Sequence, residues 1–298
     1  LSGTDDNGTT LAYVPGYEQV YINGVLQFRG SDYVATNGTS ITGLTALVAG
    51  DVVEVIAPSA VQFGDYYTQA QADTKFNAGY RYLTTLYYTS TGTFAKASYP
   101  NIRAMVVKCQ GAGGGSGGVG ASATGTRSGS GGGAGGNYAE KFITDISGMA
   151  SSVTVTVGTG GAGGASGINN GSAGETSSFG SYASAAGGGG GGGATPYNFW
   201  IPSNGGAIGS PNTGDFVVQG EAGGDSNPID INGGYSGKGG SSQLSPGTKA
   251  SVAWQGGGTA GAGLIYGGGA SGAASGQNQS AKAGAAGANG IVIVELYA

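Results

Sequence analysis

Apolar and polar positions alternate through the first sixty residues in the manner of half-buried strands. Glu18-Gln19-Val20-Tyr21-Ile22 runs into Asn23-Gly24 and out through Val25-Leu26-Gln27-Phe28. An Asn-Gly pair between two such runs predicts a hairpin, because a type I′ turn needs positive φ at both central positions. Asp32 to Thr36, the turn Asn37-Gly38, Ser40 to Leu44, and Asp51 to Ile56 complete a small antiparallel β module over residues 1–60, stopped by Pro58.

The pattern changes over residues 61–86. Thr68 is an N-cap-type residue ahead of Gln69-Ala70-Gln71-Ala72-Asp73-Thr74-Lys75-Phe76, which predicts a short helical spacer. Its apolar positions are few (Tyr67, Ala70 and Phe76, with Tyr80 and Leu83 beyond), and a lone helix of that length is marginal in water. Packing against copies of itself about a symmetry axis would make it a trimerisation segment. A solvated linker helix is the competing reading.

Strand patterns return in the third region, 87–298. Leu86 to Thr89, Gly92-Thr93-Phe94, Ile102 to Cys109 and Asn137 to Ile143 come first. Ser151 to Val157 alternates strictly, so Val153, Val155 and Val157 face one way. Thr176 to Phe179 and Ser181 to Ser184 pair about Gly180. Ile291 to Tyr297 is apolar on both faces, which places it inside a sheet. Six or seven strands make a β-sandwich, so the expected fold class is all-β: a β module, a spacer, and a sandwich carrying long inserts.

Those inserts, about 111–136, 158–174, 186–251 and 255–289, hold most of the glycine: eleven of the 68 glycines precede Cys109 and 57 follow it. Gly187–Gly193 would span about 22 Å as a polyproline-II-type helix at about 3.1 Å per residue. Without Cβ atoms such helices can pack backbone against backbone, with N–H···O bonds in place of a side-chain core. A bundle could offset the extra ordering cost of glycine, about 0.5–1 kcal/mol relative to alanine. Eight prolines and no sustained Gly-X-Y period exclude collagen.

Charge narrows the function. Only 9% of residues are charged and the net charge is −5. With no basic cluster, nucleic acid has no electrostatic footprint. Histidine is absent and Cys109 is the only cysteine. Intrachain disulfides, Cys/His zinc sites and Ser-His-Asp or Cys-His machinery are therefore excluded. Cys109 ends an apolar strand and reads as a buried small hydrophobe. No apolar run approaches the ~18 residues of a membrane span. No cofactor is implied. The chain opens at Leu1 with neither an initiator Met nor a signal-like segment, so it is expected to be the C-terminal part of a longer polypeptide.

One ordered series of motifs has a familiar form. Thr91-Gly92-Thr93-Phe94, Ile102–Cys109, a glycine-rich stretch, Tyr138-Ala139-Glu140-Lys141, Val153 to Gly158, Gly174 to Gly180, poly-glycine, and Gly290 to Glu295 resemble together the glycine-rich C-terminal domain of bacteriophage tail fibres. Tyr13 to Val25 with Gly50 to Val55 is similar to small β modules of such fibres, and Tyr67 to Phe76 to the helical spacer that joins fibre segments. The resemblance implies a non-catalytic, homotrimeric virion component. Its distal end would recognise a bacterial surface receptor, a glycan or an outer-membrane protein, and its other end would join an upstream fibre or baseplate protein. It supplies no named binding residues.

Candidate chemistry lies mainly in the third insert. Asp215, Glu221, Asp225 and Asp230 cluster in sequence, and paired carboxylates are what glycoside hydrolysis requires. In a glycine-rich loop such acids also serve as turn residues and solubilising charges. The regular calcium-loop spacing is absent from 225–230. Aromatic residues are the stronger lead: Tyr197, Phe199 and Trp200 lie between Pro196 and Pro202, and Phe216, Tyr235, Trp254 and Tyr266 follow. Proline stiffens the loop, so rings held there offer contact area at small entropic cost. The candidate tip residues are Tyr197, Asn198, Phe199, Trp200, Asn204 and Tyr235. Against this, the rings could plug gaps between glycine helices, the preferred reading for Trp254. The other readings of the chain are a tail-associated glycan depolymerase and a glycine-rich ice-binding or cell-surface matrix protein.

Overall fold

Asn23 and Gly24 take φ of 50° and 80°, the left-handed values a type I′ hairpin needs. In this computed structural model, which describes residues 1–57, 79–199, 201–230, 233–254 and 257–298, the chain divides into two units, Leu1–Phe76 and Asn77–Ala298. The turn joins β1 (Gln19–Ile22) to β2 (Val25–Leu26), and β3 (Val53–Ile56) pairs antiparallel along the other edge of β1, with Val20 opposite Val55. Val20 is buried with Tyr13, Tyr33, Ala35 and Ile41 in the core of the first unit.

The strands expected over Asp32–Thr36 and Ser40–Leu44 shrink to isolated bridges, Arg29 with Tyr33 and Val34 with Thr42. The cause is local. Asn37 Oδ1 accepts from the amides of Thr39 and Ser40 at 3.0 and 2.8 Å, and such side-chain bonds compete with a strand ladder. Glu18 is buried beneath this segment. The Gly16 amide donates to it at 2.7 Å, Arg29 Nε lies 3.0 Å away and the Tyr33 hydroxyl 3.3 Å. Burial alone would raise the Glu18 pKa. The backbone hydrogen bonds and Arg29 outweigh it and hold the carboxyl below its ordinary value.

The helix expected at Thr68–Phe76 lies outside the described residues. The second unit begins its strands earlier than expected: β4 (Tyr82–Tyr88) starts inside the 61–86 span, because Leu83 and Leu86 pack against the sandwich core. There follow β5 (Gly92–Ala95), β6 (Ala104–Gln110), β7 (Ser128–Gly129), β8 (Tyr138–Ile143), β9 (Ser152–Thr156), β10 (Ser177–Phe179) and β11 (Ala183–Ala185). The series ends with β12 (Phe216–Val218), β13 (Asn227–Asp230), β14 (Gly233–Tyr235), β15 (Val252–Trp254), β16 (Ala274–Ser275) and β17 (Ile291–Tyr297). Strand makes up 30% of the protein and helix 1%, in several antiparallel sheets without a barrel, so the fold is all-β.

Two sheets form the sandwich, β12-β8-β6-β17-β4 and β11-β10-β9-β5. β17 lies between β6 and β4, as its apolar sequence requires. The valines of β9 and its exit face inward as their alternation predicts, with Phe94 and Phe179 beside them at a ring separation of 5.5 Å. Gly180, at φ +53°, turns β10 toward β11.

From one end of the sandwich the glycine segments run out and back. Every amide from Gly111 to Gly120 donates to the carbonyl of another segment, and through Val119 the partners repeat every third residue. Gly111, Gly114 and Gly117 donate to Asn137, Ala134 and Gly131. Ala112, Gly115 and Gly118 donate to Glu175, Ser172 and Asn169, and Gly113, Ser116 and Val119 to Ala288, Ala285 and Lys282. A three-residue period is that of the polyproline-II helix. The carbonyls of this helix accept in turn from three parallel segments, as at Gly161, Gly188 and Ala270. The 111–120 helix thus has six neighbours. The 129–137 helix has six as well: it donates to segments 186–194, 220–224 and 267–274 and accepts from 111–120, 203–209 and 236–241.

Glycine is required at the crowded positions. A Cβ on Gly114 would meet the Gly189 carbonyl, and one on Gly133 the Gly114 carbonyl, both closer than 3.0 Å. Where larger residues intrude they repair the network: the Ser130 hydroxyl donates to the Gly117 carbonyl at 2.6 Å and accepts from the Ala273 amide at 2.9 Å. At the junction with the sandwich, the buried Gln110 amide donates to the carbonyls of Gly136 and Asn137, each at 2.9 Å. The insert Gly111–Gly136 is therefore two antiparallel helices with a turn between them.

Candidate functional site

Helix 111–120 leaves the end of β6, and segment 282–290 runs antiparallel to it back into β17. At about 3.1 Å per residue, residues near Gly120 lie about 28 Å from the sandwich. The turns of several out-and-back pairs meet at this far end, where β7 pairs with β16. Thr124 bonds to Asn278 at 2.9 Å, and the Gly125 amide donates to Gln277 Oε1 at 2.8 Å. Asn278 takes φ 54°, a left-handed value that asparagine tolerates. Side chains from two further turns, Pro196 and Ile168, crowd the position where a Cβ on Gly120 would sit, at 2.9 and 3.2 Å.

The aromatic loop is at this tip. Arg127 and Tyr197 exchange both backbone hydrogen bonds, each at 3.1 Å, which fixes the chain around Tyr197 against the 121–128 turn. Tyr197 and Phe199 hold their rings 5.2 Å apart at a tilt of 35°. Phe199 is 59% exposed, Tyr197 36% and Ile168 57%. Asn198 is exposed beside them. Tyr235, 41% exposed, ends the β13–β14 hairpin, and its carbonyl lies 2.8 Å from where a Cβ on Gly129 would sit.

Of the other two expected tip residues, Asn204 is exposed. It belongs to the glycine array, where its carbonyl accepts from the Gly192 amide at 2.9 Å. Trp200 lies outside the described residues. Phe216 sits in β12 on the sandwich and Tyr266 in the turn before segment 267–274, both away from the tip. For Trp254 the strand β15 is described and the side chain is not. The structure adds Arg127 and Ile168 to the tip. The signal for Ile168 was available, since it is the one large apolar residue between Val157 and Phe179.

Three of the four acids of the third insert, Asp215, Glu221 and Asp225, are spent on separate partners. Asp215 pairs with Lys141 at 2.5 Å and accepts from the Phe142 amide. Glu221 pairs with Lys238 and accepts from the Ser241 hydroxyl at 2.5 Å, contacts that hold its pKa down to about 2. Asp225 accepts from the Gly205 amide at 2.8 Å, and the side chain of Asp230 is not among those described. Among the described residues no group of three or more acid or cysteine side chains could hold a metal ion, and no helix is long and apolar enough to cross a membrane. A cleft of about 670 Å³ lined by Tyr80, Lys96, Tyr99 and Asp145 lies on the sandwich, where Lys96 Nζ donates to the Ile146 carbonyl at 2.6 Å.

A family model described as a glycine-rich domain matches residues 89–297. The chain belongs to that glycine-rich domain family. The match begins just past β4 and covers the remaining sandwich strands and the array, so the glycine-rich domain here is one folded object whose tip is its far end. No curated protein matches the chain.

Proposed function

We propose that this protein is the distal, receptor-recognising part of a bacteriophage tail fibre, a non-catalytic virion component that adheres to the host cell surface. The observation that carries the reading is the exposed Tyr197–Phe199 pair, mounted on helices whose every described amide from Gly111 to Gly120 is bonded. A rigid mount keeps the entropy cost of binding small, and exposed aromatic rings give contact area to a sugar face or an apolar receptor loop. The fibre would be a homotrimer joined to an upstream fibre or baseplate protein. Three tips would multiply weak contacts, raising avidity by roughly 10²–10⁴-fold. The motif series in the sequence supports the phage assignment. Dispersal of Asp215, Glu221 and Asp225 onto separate partners favours adhesion over glycan cleavage.

The test is competition. Host cells saturated with the purified protein should adsorb phage more slowly, and Phe199→Ala should relieve the block. Undiminished adsorption at saturation would contradict the proposal.

A further inference from the structure

We propose that the tip binds an anionic sugar, one residue of a carboxylate-bearing surface glycan, with Arg127 taking the carboxylate and Tyr197 and Phe199 the apolar face of the ring. This rests on the reading of the tip as a recognition surface. Arg127 and Tyr197 stand directly opposite each other in an antiparallel bridge. Side chains of such an opposed pair leave on the same face, so the guanidinium and the first aromatic ring share one side of the tip.

Among the described residues the guanidinium has no hydrogen-bond or ion-pair partner. Its Nε is shut off from solvent without a hydrogen-bond partner, and the ion pairs among the described residues use Arg29, Lys108, Lys141 and Lys238 instead. Asp225, an acid of the neighbouring hairpin, is turned to the Gly205 amide. Buried polar groups are nearly always satisfied, and a native exception calls for an explanation. Here Nε is enclosed while the side chain as a whole is only half-buried, and no hydrogen bond or ion pair among the described residues uses its terminal nitrogens. Two parallel N–H groups on a planar edge match the two oxygens of a carboxylate.

The rings beside it select the rest of the ligand. Two rings 5.2 Å apart, tilted by 35° and exposed, form an apolar platform of the size of a pyranose face. Asn198 stands exposed between them in sequence, and an amide both donates to and accepts from hydroxyl groups. Charge, platform and amide in one place describe an acidic sugar better than a neutral one.

The experiment presents the full chain to an array of oligosaccharides bearing uronate, sialate or phosphate groups, together with their neutral parents. The proposal expects carboxylate-bearing members to bind at least about tenfold better than their neutral parents. Arg127→Gln should remove that preference and Arg127→Lys should keep part of it, with melting temperatures unchanged. Equal binding of neutral parents, no binding of acidic members, a preference for phosphate over carboxylate, or an unaltered preference in Arg127→Gln would each overturn it. The comparison of acidic with neutral sugars uses the unmodified protein and so does not depend on a variant folding. Cell adsorption separates the two readings. Loss in Phe199→Ala with no effect of Arg127→Gln overturns the anionic ligand and leaves the tip as receptor site; no effect of either variant overturns the tip itself.

Discussion

The Gly114 amide donates to the Ala134 carbonyl at 2.8 Å, and a methyl group on Gly133, the residue before Ala134, would fall on the Gly114 carbonyl. That carbonyl already accepts from the Ala270 amide. Three chain segments therefore meet with no room for a side chain, and backbone polar groups do the work that apolar side chains do in an ordinary core. A net hydrogen bond contributes about 0.5–1.5 kcal/mol, comparable to the extra ordering cost of a glycine. Such an array holds only where nearly every amide is paired.

Substitution at the crowded glycines should be costly. Gly133→Ala is expected to destabilise the second unit by about 1–3 kcal/mol or more, the usual range for overpacking. Gly148, with nothing within 4 Å of its Cβ position and no positive φ, is the control. There alanine should be neutral or stabilise by up to about 1 kcal/mol. Denaturant unfolding of both variants checks the contrast; equal effects would contradict it.

Much of this architecture was legible in the sequence, and the reasons differ by element. The valines of β9 announced their inward face by strict alternation, and Asn23-Gly24 announced its turn by the φ it needs. Asn37 misled because its side chain caps the local amides and breaks the ladder that the flanking residues suggest. The course of the glycine segments was hidden for a deeper reason. In these helices register is set by backbone bonds at every third residue, so no side-chain period exists to be read. Gly111–Gly136 accordingly reads as a single insert, with no patterning in it to mark Arg127, near its midpoint, as a tip residue. The cue was its position among Thr124, Thr126 and Arg127, the bulkiest run in a stretch otherwise of glycine, alanine, serine and one valine.

Cys109 should behave as core. Its thiol is wholly buried, and burial pushes its pKa up to about 12. A thiolate is the reactive form, so labelling at pH 8 should be undetectable in the native protein and complete in denaturant. Prompt native labelling would contradict the packing of β6.

The first unit should weaken in acid. Glu18 titrates below its ordinary value near 4.5 when folded. Its contribution is therefore complete above about pH 4.5 and is lost as pH falls through the lower folded value. Glu18→Gln is expected to cost about 1–3 kcal/mol, because Arg29 is partly exposed, and to flatten this acid limb. Hydrogen exchange at Val20 and Ile41 across pH 3–6 reads the effect, and an unchanged acid limb in the variant would count against it.

Phe199 should matter for recognition and not for folding. Being 59% exposed, it can be truncated to alanine with a change in stability within about 0.5 kcal/mol. A large fall in melting temperature would show that the ring is packed rather than presented.

The most direct test of the account is amide hydrogen exchange over Gly111–Gly120 and Ser130–Asn137, the two helices with six neighbours each. Protection should match that of β6 and β17, since these amides are bonded and enclosed by the array. Exchange at the rate of an unstructured glycine chain would contradict it, and would leave Tyr197 and Phe199 without a rigid mount.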